Sequence, residues 1–77
     1  MTKTKNTTLT EHFPDVLKEL RLQKGFSQEE LADRASLHRT YISQIERGLK
    51  SPSLRSMGQI ADALEVTLSN LIKKMEK

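Results

Sequence analysis

The sequence contains no cysteine, so neither a disulfide nor a thiolate metal site can staple it, and nothing in it calls for an oxidising compartment. No apolar run approaches the roughly 20 residues of a membrane-spanning helix. The opening stretch, MTKTKNTTLT, has no hydrophobic segment to serve as a secretory signal, so a cytoplasmic location is expected. The two histidines, His12 and His38, stand on separate segments without paired carboxylates at ligand spacing, which argues against zinc. Ser27, Ser36 and Ser43 lack a glycine-flanked elbow or a base beside them, and no glycine loop is present to cradle a phosphate. Enzymatic activity, a metal, a cofactor and a small-molecule ligand are therefore not expected. What remains is a chain of 77 residues, one domain near the lower limit at which an apolar core suffices by itself.

The charge that is present is unevenly placed. Between Ser36 and Ser56 lie Arg39, Arg47, Lys50 and Arg55 against Glu46 alone, a local excess equal to the net +3 of the whole chain. Such a patch is the footprint of a surface for a polyanion such as nucleic acid, although cations scattered on a solvated face give the same total.

Residues 1–8 are Thr, Lys and Asn with little to bury, and read as a flexible tail ahead of a single folded domain at 9–77. Phe13, Val16, Leu17 and Leu20 recur at the spacing of one helical face, with Pro14 in the first turn and Gly25 as the stop. SQEE at Ser27–Glu30 is a capping box that starts a second helix, QEELADRA, burying Leu31, Ala32 and Ala35. After a break at Ser36 and Leu37, a third helix runs from His38 or Arg39 to Arg47 and is closed by Gly48. Two short helices joined by so tight a turn form a helix-turn-helix. Ser53 caps a fourth helix, LRSMGQIADALEV, with Leu54, Met57, Ile60, Ala61 and Leu64 on one face, and Thr67 caps a last one, LSNLIKKM. With no repeat and no strand pattern, the expected fold is all-α, a compact five-helix domain.

The third helix is too short to hold itself together in water and must be docked by its few apolar residues. At 100° per residue, Ile42 and Ile45 fall on one side with His38 and Glu46 flanking them. Thr40, Ser43, Gln44 and Arg47 share the opposite arc, and Arg39 projects from the N-terminal end. Short hydroxyls, an amide and arginine are the groups that pair with base edges and phosphates in a major groove. An ordinary solvated face would favour Glu–Lys pairs, whereas here the only acid points inward.

In RLQKGFSQEELA, LHRTYISQIERG, the SPSL turn and ALEV, the chain resembles the Cro and phage-repressor (XRE) helix-turn-helix family over about residues 13–72, and within it the small controller proteins of restriction-modification systems. The resemblance implies a lambda-repressor-like DNA-binding domain in which Arg39, Thr40, Ser43 and Gln44 meet bases. It also implies that Gln28, Tyr41, Arg47, Lys50, Ser51 and Ser53 contact the DNA backbone. Phosphate contacts fix register while base contacts specify sequence. Several of these positions have a purely structural alternative: Gln28 as a helix N-terminal residue, Tyr41 as half-buried core, Arg47 and Lys50 as solvated cations. The family pattern further implies a structural ion pair between Arg21 and Glu46. It departs from this chain at Ser36, where the turn most often has glycine.

Proteins of this kind act as two-fold dimers on half-sites about 34 Å apart. Val66, Leu68, Leu71, Ile72 and Met75 are the surplus apolar residues available for such an interface. The expectation is thus a homodimeric transcriptional regulator bound to a palindromic double-stranded DNA operator and regulating its own gene. The alternative is an antitoxin-like or adaptor module that grips another protein through its last helix.

Overall fold

The computed structural model describes residues 2–76, with side chains from residue 12 onward. Five helices follow in order, α1 (Thr2–Lys24), α2 (Gln28–Ala35), α3 (Arg39–Glu46), α4 (Leu54–Ala63) and α5 (Leu68–Met75), with no strand among the described residues. No described helix is long and apolar enough to cross a membrane.

The core follows the helical periodicity. Phe13, Val16, Leu17 and Leu20 of α1 are buried in one cluster with Leu31, Ala32 and Ala35 of α2, Ile42 and Ile45 of α3, Ile60, Ala61 and Leu64 at α4, and Leu71 and Met75 of α5. α1 is the common support on which α3 and α5 both rest, while α2 packs on α3 and α4.

Three helix starts share one device and four helix ends another. Ser27, Ser53 and Thr67 adopt extended backbone and accept from the amides of Glu30, Ser56 and Asn70 at 2.9–3.0 Å, satisfying an N–H that the helix leaves open. α1 to α4 all close with a paired 6→1 and 5→2 hydrogen-bond motif around a left-handed residue, in turn Gly25, Ser36, Gly48 and Glu65. Two of these four residues are not glycine. Ser36 (φ 59°) takes the strained conformation that its place in the turn predicts.

Three expectations are corrected. α1 begins at Thr2, so the segment read as a tail continues the helix, and Pro14 lies inside it rather than in its first turn. Once the apolar face of residues 13–20 is anchored, each added residue gains a backbone bond without a new nucleus. Met1 and the side chains of residues 2–11 lie outside the described residues. The fourth helix ends at Ala63, short of Val66, because Glu65 turns left-handed (φ 62°), and its first residue Leu54 is exposed instead of joining the apolar face. Finally, Leu71 and Met75 are core residues, 0% and 4% exposed, and are not free for a dimer interface. They are the i, i+4 pair by which α5 docks, which leaves Val66, Leu68 and Ile72 half-buried.

Candidate nucleic-acid interface

α3 is oriented by charge as well as by Ile42 and Ile45. Arg21 of α1 donates from Nε to Glu46 Oε2 at 2.7 Å and from Nη2 to Glu46 Oε1 at 3.1 Å. Its remaining nitrogen, Nη1, donates to the Phe26 carbonyl at 2.8 Å, tying the pair to the α1–α2 turn. Gln28, the first residue of α2, donates from Nε2 to Glu46 Oε1 at 3.1 Å. Both charged side chains are almost fully covered, at 9% and 4% exposure. Three helices therefore meet at one carboxylate, and a two-pronged arginine contact fixes rotation as well as distance. Among the described residues no buried side-chain polar atom lacks a partner.

With Glu46 turned inward, the opposite arc of α3 is presented outward. Arg39, Thr40, Ser43, Gln44 and Arg47 line one shallow depression. Arg39, Thr40 and Arg47 are exposed, and Ser43 and Gln44 are half-buried. Lys50 and Ser51 are exposed in the loop that follows but border a different feature, an apolar cleft between α1, that loop, α4 and α5 lined by Phe13, Leu54, Met57 and Ile72 among others.

Two of the residues expected at the DNA backbone make contacts within the chain. The Tyr41 ring is half-buried against the core, and its hydroxyl donates to Ser56 Oγ on α4 at 3.3 Å. It lies one helical step from Thr40, off the polar arc. The Ser53 hydroxyl accepts from the Ser56 amide and donates to Ser56 Oγ at 3.1 Å, so the cap uses its only proton. Gln28 is different: the contact to Glu46 uses one N–H of its amide and leaves the second free.

The structure also brings in residues that sequence reasoning passed over. Leu49, 61% exposed, borders the α3 depression; its position just after the Gly48 stop was the available signal. Gln59 of α4 donates from Nε2 to the Ala35 carbonyl at 2.8 Å, bracing the end of α2 where the turn begins. No spacing rule marks a glutamine for that role.

Comparison with known proteins places this arrangement. A family model described as helix-turn-helix matches residues 17–71. The control protein C.BamHI of Bacillus amyloliquefaciens is 44% identical over 61 residues, covering 78% of this chain and 75% of its own length. The control protein C.MunI of a Mycoplasma species is 42% identical over 66 residues, covering 84% and 89%. Among solved structures, C.Esp1396I bound to a 19 base pair DNA duplex superposes with a TM-score of 0.80 at 37% identity, covering 87% of this chain and 89% of that one.

Proposed function

The chain belongs to the helix-turn-helix family, and on that premise we propose that it is a sequence-specific DNA-binding transcriptional regulator acting as a homodimer on a palindromic operator. The observation that carries this reading is the outward arc of α3, five polar or cationic side chains in one depression on a helix whose rotation is set by a buried ion pair. Similarity to control proteins supports a restriction-modification controller that regulates its own gene. The role is one of binding rather than catalysis, and the site of action is the cytoplasm.

Arg39, Thr40, Ser43 and Gln44 meet base edges, and Arg39 is suited to a bidentate contact with guanine. Arg47, Lys50 and Ser51 contact the phosphate backbone, and Gln28 does so through its free amide N–H while bracing Glu46. Dimerisation uses the apolar surface left uncovered, namely Val66, Leu68 and Ile72 with Met57 and the exposed Leu54. Operator occupancy then follows protein concentration, because two coupled half-sites are filled only by the dimer.

The test is gel shift and fluorescence anisotropy on DNA from just upstream of the chain's own gene, at several salt concentrations. Selective binding that weakens steeply with salt is expected. Arg39→Ala loses about 1–3 kcal/mol of base discrimination, whereas Lys50→Ala weakens binding to every sequence alike and lowers the salt slope by about one. Equal, weak binding to all duplexes would overturn the proposal.

A further inference from the structure

Each of the four left-handed helix ends is followed by an apolar residue: Phe26, Leu37, Leu49 and Val66. In this motif such a residue ordinarily packs back on its own helix, and Phe26, Leu37 and Val66 are half-buried against the core. Leu49 is not. It is 61% exposed and borders the same depression as Arg39, Thr40, Ser43 and Gln44.

The motif itself does not need a leucine there, since Gly48 supplies the left-handed turn at φ 75°. The backbone is nevertheless held in place, with the Leu49 amide bonded to the Gln44 carbonyl at 2.8 Å. An isobutyl group fixed at the edge of a polar surface leaves water only when something apolar covers it. In a major groove the apolar group on offer is the 5-methyl of thymine. We infer that Leu49 is a specificity residue that reads a thymine 5-methyl group. The inference rests on the operator-binding reading, adding an apolar contact to the polar ones.

The probe is a duplex that the protein itself selects from a randomised pool, with thymines replaced one at a time by uracil, which removes only the methyl. One position per half-site is expected to weaken wild-type binding about fourfold, the equivalent of about 0.8 kcal/mol for one buried carbon group. Leu49→Ala removes the contact from both half-sites of the dimer, so it binds the thymine duplex more weakly by about the square of that factor, roughly 16-fold, and no longer distinguishes uracil at that position. Leu49→Met retains the distinction. Because the side chain is exposed, the melting temperature of Leu49→Ala stays at the wild-type value, which separates a lost contact from a lost fold. Selective binding that is indifferent to uracil everywhere overturns the inference while leaving the operator reading intact, as does uracil sensitivity that persists in Leu49→Ala. Failure to select any duplex overturns both.

Discussion

α3 and α5 are each eight residues long and both rest on α1, yet different chemistry holds them there. Each buries two apolar side chains, Ile42 and Ile45 in the first, Leu71 and Met75 in the second. Two buried side chains do not by themselves offset the backbone entropy lost in ordering an eight-residue helix. Backbone hydrogen bonds narrow the gap, and a further contact is needed in both. α5 finds it in more apolar surface, Leu68 and Ile72. α3 adds only the half-buried Tyr41 ring, because its outer arc is polar, and it has the buried Arg21–Glu46 pair besides. Apolar burial is non-directional, while a forked ion pair fixes orientation. A helix that gives its outer face to a partner thus takes its aim from charge.

The largest test of this difference is Glu46→Ala. It removes the acceptor of three hydrogen bonds and leaves the 8%-exposed Arg21 without its carboxylate. Breaking a buried pair this way costs about 3–5 kcal/mol, against roughly 5–15 kcal/mol for a whole domain. For a chain of this size the melting temperature then falls by more than about 10 °C, as followed by circular dichroism. Ile72→Ala on α5, trimming a half-buried side chain, costs much less. A Glu46→Ala protein melting within a few degrees of wild type would mean that the isoleucines and Tyr41 position α3 without the ion pair.

A smaller effect is expected at the start of α3. Ser27, Ser53 and Thr67 cap α2, α4 and α5, but His38 occupies the cap position of α3 with extended backbone (φ −79°, ψ 143°) and no side-chain hydrogen bond. His38→Ser supplies the missing acceptor and stabilises the domain by about 1 kcal/mol, raising the melting temperature by about 4–8 °C. It also sharpens the contrast. Where the open N–H groups of α3 receive a phosphate, the variant melts higher and binds duplex DNA more weakly. A rise in melting temperature with unchanged affinity would remove that helix end from the interface.

Much of this architecture was legible because its causes are local. Helix starts announce themselves through Ser27, Ser53 and Thr67, whose side chains do the capping within three residues. Ends are legible at Gly25 and Gly48, where glycine permits the left-handed turn. Glu65 does the same without any such mark, at the usual cost of about 1–2 kcal/mol for a side chain in that region, so the fourth helix reads too long. The outward arc of α3 follows from period alone. Which apolar residues remain uncovered does not: Leu71 and Met75 on one side, and Leu54 on the other, exchange roles because burial depends on how α5 closes on α1. Tyr41 was ambiguous for the same reason, its fate resting on the position of Ser56 fifteen residues away.

The smallest effect is expected at the second ion pair that α1 makes. One turn after Arg21, Lys24 donates from Nζ to Glu65 Oε1 at 2.7 Å, joining α1 to the α4–α5 junction. This pair differs from Arg21–Glu46 in lying at the surface, where solvent screens it and exposed pairs contribute little. The hydrogen bond from Lys24, and then its charge, hold the Glu65 carboxyl below the ordinary carboxylate range. A carboxyl whose folded value is lowered lends stability above its unfolded value, about 4.3 for glutamate, and loses it as pH falls through the folded value. Lys24→Ala should therefore lower the melting temperature at neutral pH by less than His38→Ser raises it. The difference from wild type should shrink towards zero as the pH falls through the lowered folded value, and it should shrink with added salt at neutral pH. A deficit that persists in acid would mean that Lys24 holds the junction through its aliphatic stem rather than its charge, and the two fastenings of α1 would then differ in kind and not only in depth.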